Sequence, residues 1–259
     1  NKFGAVSNDE KKGRRISGLY NSMGGFGMHE VIIEHPKHNN CIALMSYEEV
    51  ENILKVYKQR YLAISEMEGI ESIVIFKNHG PAAGTSLEHP HSQLIATPVV
   101  PPQVRGRLVQ AVSFFDLNGR CVFCTMLESE LKEKARIVLE TDNFVAFMPY
   151  ASFAPFTIWV FPRRHSASFG DINDKEVSDL AKSLKTILSK LYYGLDNPDF
   201  NYSIRSTPIG ERGINYFHWY LSIIPRLTQP AGFELGSGMF INTVLPEQAA
   251  EFLRQEKLT

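Results

Sequence analysis

Hydrophobic residues recur at the spacing of an amphipathic helix in two stretches of the chain. The first stretch follows Ser46, and Glu49 three residues later completes the sequence pattern of a capping box at a helix start. The second begins near Asp174 and has the same helical period. The apolar positions are Val50, Ile53, Leu54, Tyr57, Tyr61 and Ile64 in the first and Val177, Leu180, Ala181, Leu184, Ile187, Leu188 and Leu191 in the second. The pattern therefore predicts two long helices, each with one buried face.

Short runs rich in β-branched and aromatic residues predict strands before and after each long helix. These runs cover residues 29–34, 72–77, 137–139, 144–148, 157–161, 201–205 and 217–224. Between the two sets, Pro98, Pro101 and Pro102 interrupt regular structure and begin a crossover. We therefore expect an α+β fold in two domains, residues 1–115 and 116–259.

The two halves of the chain follow the same plan. The valine that opens each predicted helix lies 12 residues after His38 in the first half and 12 residues after His165 in the second. A further histidine follows 51 residues after His38, at His89, and 53 residues after His165, at His218. His89 therefore corresponds to His218, which indicates an internal repeat with histidines at matching points.

The composition argues against several classes of function. The 259 residues carry 27 basic and 28 acidic side chains, so no broad charged field favours nucleic acid or an acidic membrane surface. No apolar run approaches the roughly 20 residues that a membrane span requires. Three cysteines, two of them in a Cys-x-x-Cys pair, favour a reducing compartment, so we expect a cytoplasmic protein. Asn1 follows neither an initiator methionine nor a signal peptide, and we expect it to be the cut end of a longer protein.

Two cysteines and two histidines of the second half are candidates for a metal site. Cys121 and Cys124 form the Cys-x-x-Cys pair, and the repeat places His165 and His218 at matching points of the same half. Together they offer the Cys2His2 ligand set of a tetrahedral structural zinc. The alternatives are a redox pair, or two small buried cysteines beside unrelated histidines.

The equivalent histidines of the first half are His38 and His89. A cysteine pair at the offset found in the second half would fall just upstream of Asn1. We therefore expect a first zinc site whose remaining ligands precede the sequence. Cys41 is a further sulfur in this half, and we expect it to be a small buried residue instead of a ligand.

The candidate chemistry lies between Asn78 and Pro98. If this chain is extended from Glu88, the side chains of His89, His91 and Gln93 project from one face, because side chains alternate along a strand. An imidazole attacks phosphorus well and can pass the phosphoryl group on, so His91 is the candidate nucleophile. The amide of Gln93 can hydrogen-bond a phosphate oxygen whose charge changes in the transition state. The alternative is a structural metal-binding histidine pair without catalysis.

A loop of small residues precedes these histidines. Its members are Gly80, Ala82, Ala83, Gly84, Thr85 and Ser86. The backbone N–H groups of the loop and the Ser86 hydroxyl are suited to bind phosphate oxygens. The second half has Tyr220 at the position of His91, so we expect the reactive histidine in the first half only.

Five segments carry a resemblance to a known family. The strongest read N-H-G-P-A-A-G-T-S at 78–86 and H-P-H-S-Q at 89–93, and the others lie at 36–38, 162–165 and 233–236. Together they resemble the galactose-1-phosphate uridylyltransferase family, within the histidine-triad superfamily, over nearly the whole chain. The resemblance implies two tandem histidine-triad-like domains, each a mainly antiparallel sheet with a long helix packed on it. It also implies nucleotidyl transfer by a ping-pong route.

The resemblance implies roles for individual positions. In the family, the match of His91 is the nucleophile and the match of Gln93 binds the transferred phosphoryl group. The matches of His89 and His38 bind zinc. With the loop residues, the set expected to bind substrate or nucleotide is Asn1, Asn78, Gly84, Thr85, Ser86, Gln93, Phe233 and Gly236.

One departure from the family narrows the substrate. Ser237 and Gly238 stand where the galactose branch typically carries a Tyr-Glu pair that acts on the hexose. Loss of that carboxylate leaves a hexose hydroxyl without its acceptor, which costs affinity. The segment 232–238 looks more like the ADP-glucose phosphorylase branch, in which phosphate takes the nucleotidyl group from the histidine.

We therefore expect a nucleotidyltransferase that acts on nucleoside-diphosphate sugars through a covalent nucleotidyl-histidine. It would pass UMP or AMP to a hexose 1-phosphate or to phosphate, and the sequence leaves the choice of base and sugar open. We expect no nucleic acid or membrane partner, and a homodimer, since members of the family commonly pair. The alternatives are a dinucleoside polyphosphate phosphorylase or hydrolase, and a non-catalytic nucleotide- and zinc-binding module.

Overall fold

An antiparallel sheet of eight strands forms the centre of the computed structural model, which describes residues 4–9 and 13–258. Its strands are β3 (Met28–Ile33), β4 (Ser72–His79), β5 (His91–Thr97), β6 (Ile137–Glu140), β7 (Phe144–Phe147), β8 (Ile158–Pro162), β9 (Phe200–Arg205) and β10 (Tyr220–Pro225). They are arranged in the order β3-β5-β4-β9-β10-β8-β7-β6. A separate hairpin precedes the sheet and consists of β1 (Arg14–Ser17) and β2 (Tyr20–Met23).

Helices cover both faces of this sheet in the described part of the chain. They are α1 (Tyr47–Ser65), α2 (Pro102–Asn118), α3 (Val122–Glu133), α4 (Asp174–Gly194), α5 (Gly232–Ser237) and α6 (Pro246–Gln255). The two long helices that the hydrophobic period predicts are α1 and α4, and their buried residues include every position of the predicted stripes. Among the described residues, no helix combines the length and the apolar character that crossing a bilayer requires.

Both long helices begin with a capping box at the same point of the repeat. Ser46 accepts a hydrogen bond from the Glu49 N–H at 3.2 Å, and its own N–H donates to the Glu49 carboxylate at 2.7 Å. Asn173 and Glu176 make the same reciprocal pair in the second half. Because each pair satisfies two backbone donors that a helix start leaves free, it sets the first residue of the helix.

The proline-rich segment contains a helix that the sequence pattern did not predict. Pro101 and Pro102 interrupt the chain only locally, because Pro102 occupies the first turn of α2, where the missing N–H costs nothing. The helix then runs to Asn118 and ends at Gly119, which has a φ of 64°. The prediction of an irregular crossover here was therefore wrong. Helix α3 follows directly and begins at the cysteine pair.

Strands β4 and β9 join the two halves into one sheet. Phe76 lies opposite Ser203 and Asn78 lies opposite Asn201 in antiparallel register. The first half contributes β3, β5 and β4 with α1, and the second half contributes the other five strands with α4. The predicted α+β class is confirmed. The predicted boundary between residues 115 and 116 falls inside α2, and a division at that point stays a prediction.

A buried ionic network connects β4 with the segment after β3 and with the start of β5. Nζ of Lys77 donates to the Glu34 carboxylate at 2.6 Å and to the His91 carbonyl at 3.0 Å. The side chains of Lys77 and Glu34 are 2% and 0% exposed. The hydroxyls of Ser92 and Tyr57 donate to the other oxygen of Glu34. The charges of Lys77 and Glu34 are therefore compensated only inside this network.

We expect Lys77→Met to lower the free energy of unfolding by about 3–5 kcal/mol, because it leaves the Glu34 charge buried without its partner. The double variant Lys77→Met/Glu34→Gln should recover much of that loss, since no charge is then left behind. Urea unfolding of the single and double variants measures this coupling.

The matched control is Lys55→Met, which breaks an exposed pair with Glu51 on α1. Its cost should be at most about 0.5 kcal/mol. Equal losses in Lys55→Met and Lys77→Met would contradict a special role for the buried pair.

Candidate functional site

A cavity of about 480 Å³ opens where the two halves meet. It lies at the end of β4, the start of β5 and the loop before β9. Its lining residues are Asn40, Lys77, Asn78, His79, Gly80, Pro81, Thr85, Ser86, Leu87, Glu88, His89, Pro90, His91, Asn197 and Asp199. The structure thus brings His89 and His91 together with Asn78, Thr85 and Ser86, all of which the sequence places in the site.

His91 is held in one tautomer. It is the first residue of β5 and is 6% exposed. Its Nδ1 lies 2.8 Å from the carbonyl oxygen of His89. A carbonyl oxygen only accepts hydrogen bonds, so Nδ1 carries the proton and Nε2 of the neutral ring keeps its lone pair. Nε2 makes no hydrogen bond to a described residue and is the nitrogen available to attack an electrophile.

His89 does not share the strand face with His91 and Gln93, so that expectation was wrong. Strand β5 begins only at His91, after Pro90, which has no N–H for the ladder. His89 instead turns toward His38, and their Nδ1 atoms are 3.1 Å apart. The described residues bring no third cysteine, histidine or carboxylate to this pair. The first zinc site stays a prediction.

His29 holds the amide of Gln93 in one orientation. The N–H of Ala5 donates to His29 Nδ1 at 2.9 Å, so the ring proton of the neutral imidazole is on Nε2. Nε2 in turn donates to Gln93 Oε1 at 2.9 Å. The NH2 group of Gln93 is left as a donor on the strand face that His91 also occupies. Gln93 does not line the cavity itself. It lies two residues after His91 on β5, on the same face of the strand.

The small-residue loop uses most of its backbone amides internally. The N–H groups of residues 82–85 all donate to acceptors within the protein. The expectation that these amides are offered to phosphate was therefore wrong. Gly84 ends the turn with a φ of 83° and is not part of the cavity lining. Neither the Gly80 N–H nor Ser86 makes a hydrogen bond to a described residue, so the donors that this loop can offer to phosphate are the Gly80 N–H and the N–H and hydroxyl of Ser86.

Residues of the second half position this loop, and no sequence pattern pointed to them. The carboxylate of Asp199 accepts the N–H of Ala82. Nδ2 of Asn201 donates to Asn78 Oδ1 at 2.8 Å and to the loop backbone. Gly80 has a φ of 82°, and a Cβ on it would lie 1.7 Å from Asp199 Oδ1. Only glycine is compatible with that approach.

The far wall of the cavity contains backbone in a rarely populated conformation. Asp196 and Asn197 have φ values of 55° and 52°, in the left-handed region. Oδ1 of Asn197 accepts a hydrogen bond from His79 Nε2 at 3.0 Å. Burial lowers the pKa of His79, which keeps this ring neutral. Such strain is typical of loops that hold a functional side chain in place.

The second half contains a cluster of sulfur and nitrogen ligands. The ligand atoms of Cys121, Cys124 and His165 all lie within 4.8 Å of one another. Nδ1 of His218 is 3.4 Å from Cys124 Sγ, so all four predicted ligands come together. The hydrogen bond with Cys124 lowers the pKa of Cys121 to about 5, which provides a thiolate. Burial lowers the pKa of His218 to about 4, so this imidazole is neutral, as a metal ligand must be. The group could hold a metal ion.

Backbone carbonyls orient the histidines of both halves. Nε2 of His218 donates to the Pro162 carbonyl at 2.9 Å, and Nε2 of His165 donates to another carbonyl at 3.3 Å. Each Nδ1 is thereby left free toward the sulfurs, as in metal sites with an ordered outer shell. In the first half, Nε2 of His89 donates to the His35 carbonyl at 2.8 Å. Pro162 lies three residues before His165 and His35 lies three residues before His38, so the contact repeats with the sequence.

Two further residues predicted to bind substrate, Phe233 and Gly236, do not line the cavity, and the same holds for Gly84 and Gln93. Phe233 and Gly236 lie on α5, and Phe233 is 53% exposed. Asn1 lies outside the described residues. Their roles in binding stay predictions.

Comparison with protein families gives a match to nearly the whole chain. A model described as galactose-1-phosphate uridyl transferase, N-terminal domain, matches residues 1–101. The model for the C-terminal domain of the same enzyme matches residues 108–259. The two models divide the chain in the same region as the internal repeat.

Named relatives fall into two activities. An ADP-glucose phosphorylase of Arabidopsis thaliana is 38% identical over 94% of this chain and 68% of its own length. A galactose-1-phosphate uridylyltransferase of Thermotoga maritima is 30% identical over 90% of this chain and 75% of its own length.

Solved structures of the same two kinds of enzyme are similar to this chain. The crystal structure of an ADP-glucose phosphorylase from Arabidopsis thaliana with bound ADP-glucose is 37% identical with a TM-score of 0.86, over 92% of this chain and 76% of that one. A structure of a uridylyltransferase is 27% identical with a TM-score of 0.89, over 96% of this chain and 80% of that one.

We expect Gly80→Ala to destabilise the protein by about 1–3 kcal/mol, because the new methyl group meets Asp199 and the backbone conformation suits glycine alone. Gly84→Ala is the matched control, since Gly84 also has a positive φ but open space around its Cα. Urea unfolding measures the loss in free energy of unfolding for each of the two variants.

Replacing Asp199 by alanine in the Gly80→Ala background should recover part of the loss. No recovery would show that contact with Asp199 is not what restricts residue 80.

Proposed function

The chain belongs to the galactose-1-phosphate uridyl transferase family, and from that premise we propose that it is a nucleotidyltransferase with His91 as its nucleophile. The observation that carries the proposal is the hydrogen bond from His91 Nδ1 to the His89 carbonyl at 2.8 Å. It leaves Nε2 as the reactive nitrogen of a side chain that lines the cavity.

The proposed reaction has two displacements at one phosphorus. In the first, Nε2 of His91 bonds to the α-phosphorus of a nucleoside-diphosphate sugar, and the sugar 1-phosphate leaves with the electrons of the broken P–O bond. In the second, an oxygen of the acceptor phosphate attacks the same phosphorus, and the electrons of the P–N bond return to Nε2. The ring is cationic between the two steps because Nδ1 keeps its proton. The His89 carbonyl stabilises that charge.

The neighbouring groups serve to bind and orient phosphate. The Gln93 NH2 donates to a non-bridging oxygen of the transferred phosphoryl group, with its orientation fixed by His29. In this proposal the Ser86 hydroxyl and N–H, which have no partner among the described residues, bind the same phosphates; Ser86 lines the cavity. Asn78 is held by Asn201 at the end of β4, next to the cavity. Catalysis in this scheme comes from positioning and electrostatics.

We propose ADP-glucose as the donor and phosphate as the acceptor, so that the products are ADP and glucose 1-phosphate. The likeness to the Arabidopsis thaliana ADP-glucose phosphorylase supports this choice. So do Ser237 and Gly238, which replace the Tyr-Glu pair of the galactose branch. The second candidate is transfer of UMP from UDP-glucose to galactose 1-phosphate, favoured by the uridylyltransferase likeness.

ADP-glucose labelled at the α-phosphate should leave label on the wild-type chain and none on His91→Gly. Added phosphate should release that label as ADP, while galactose 1-phosphate should release little. UDP-glucose and a dinucleoside polyphosphate serve as competing donors. Label retained by His91→Gly would overturn the assignment of His91 as the nucleophile. Faster transfer from UDP-glucose to galactose 1-phosphate would favour the second candidate.

The control for this experiment is Arg105→Gln, because Arg105 is exposed on α2 and does not line the cavity around His91. Its label uptake should equal that of the wild type. Circular dichroism of His91→Gly should match the wild-type spectrum, so that lost labelling reports chemistry and not unfolding.

We propose that the cluster of Cys121, Cys124, His165 and His218 binds zinc. Two sulfurs and two imidazoles are the ligand set of a closed tetrahedral zinc site. The ion would hold the start of α3 against the segments after β8 and before β10, and its role is structural. The zinc-bound pair at His38 and His89, the homodimer and the roles of Phe233 and Gly236 stay predictions.

Metal analysis should find zinc in the purified protein, and Cys124→Ser should lose about one equivalent per chain. The melting temperature of that variant should fall by several degrees, because the metal contributes binding free energy to the folded state. Cys41→Ser is the matched control, since Cys41 is half-buried and lies outside the cluster. An unchanged zinc content in Cys124→Ser would contradict the site.

A further inference from the structure

Two arginines from different elements share a small cavity away from the His91 site. Arg107 lies on α2, and Arg205 is the last residue of β9. Both are half-buried. The cavity between the elements is lined by residues that include both arginines and Ser72, and it has no lining residue in common with the cavity around His91.

Neither arginine has a carboxylate partner among the described residues. The other two arginines that are buried or half-buried in the described chain, Arg60 and Arg136, each pair with a glutamate. Arg107 and Arg205 form no salt bridge and no side-chain hydrogen bond within the described part of the chain. Two guanidinium groups are therefore close together without a protein counter-charge.

The third group at this place is Tyr220, which lies directly opposite Arg205 in the register of β9 and β10. Burial raises the pKa of Tyr220, and the charges of both arginines oppose that rise, which shows that both lie near its ring. Burial and then the charge of Arg107 lower the pKa of Arg205. The phenol stays protonated, and Tyr220 itself does not line the cavity.

The cavity has the size and the lining of a site for one small ion. Its volume is about 20 Å³, and a space of this size holds about one water molecule. Apolar side chains surround the charged groups, among them Val104, Ile204 and Phe217. Low polarity around the charges strengthens their attraction for an anion, since nearby water screens them less. The Ser72 side chain, 4% exposed, also faces this space and makes no hydrogen bond to a described residue.

We propose that Arg107, Arg205 and Ser72 bind a monatomic anion of the halide class, which neutralises the two arginines and holds α2 against the sheet. A single halide ion is close to a water molecule in size, whereas phosphate or a carboxylate ligand is larger than the enclosed space. The anion takes no part in the reaction at His91, so this site is independent of the proposed function.

The solution test compares sodium bromide with sodium gluconate at equal ionic strength, because gluconate is too large for the cavity. Bromide should raise the melting temperature of the wild-type protein saturably, by about 2–4 °C. Arg107→Gln and Arg205→Gln should lose this bromide-specific rise. Arg105→Gln is the matched control on the same helix and should keep it, because Arg105 is exposed and lines neither cavity.

A second expectation separates anion binding from ordinary loss of packing. In gluconate, Arg107→Gln should be at least as stable as the wild type, because the substitution removes repulsion between two cations. In crystals soaked in bromide, an anomalous peak should lie between the guanidinium groups of residues 107 and 205. Equal melting temperatures of the wild type in the two salts would overturn the proposal. A peak without the solution effect would mean an adventitious ion only, and would overturn it equally.

Discussion

The pairing of β4 with β9 is the contact on which the rest of the molecule depends. It is the only ladder between the two halves in the described sheet, and it places Asn78 opposite Asn201. From that register follow the hydrogen bond between these two amides and the approach of Asp199 to Gly80. The cavity around His91 has one wall from each half for the same reason. A shift of β9 by one residue in this ladder would turn its side chains, Asn201 among them, to the opposite face.

The repeat has kept the architecture of the two halves and separated their chemistry. In both, a histidine Nε2 donates to the carbonyl that lies three residues before the partner histidine of the repeat, His38 or His165, which leaves Nδ1 for a ligand. His89 and His218 are equivalent in this respect. Two residues later the halves differ: His91 opens β5, whereas Tyr220 opens β10 and is buried beside Arg205. The position of the proposed nucleophile in one half is a buried packing residue in the other.

Sequence reasoning found what depends on local pattern and missed what depends on distant pairing. The helices α1 and α4, their capping boxes and the four residues of the Cys-His cluster were all predicted, because period, caps and repeat offsets are visible in one dimension. His29, Asp199 and Asn201 were not, since their contacts with Gln93, Gly80 and Asn78 arise only when strands far apart in sequence become neighbours. The face of His89 was misassigned because Pro90 delays the start of β5 to His91. Helix α2 was missed because a proline can open a helix as well as end one.

The joined sheet also bears on how the protein behaves at high concentration. Two separate sheets would expose four edge strands, and each edge offers unpaired N–H and C=O groups to another chain. Joining β4 to β9 leaves two edges in the described sheet, β3 and β6. On β3 the carboxylate of Glu30 is fixed by Arg60, and β6 is only four residues long with an irregular register between Ile137 and Leu139. A charged edge and a short, irregular one are poor templates for further strands, so the same contact that builds the cavity also limits aggregation.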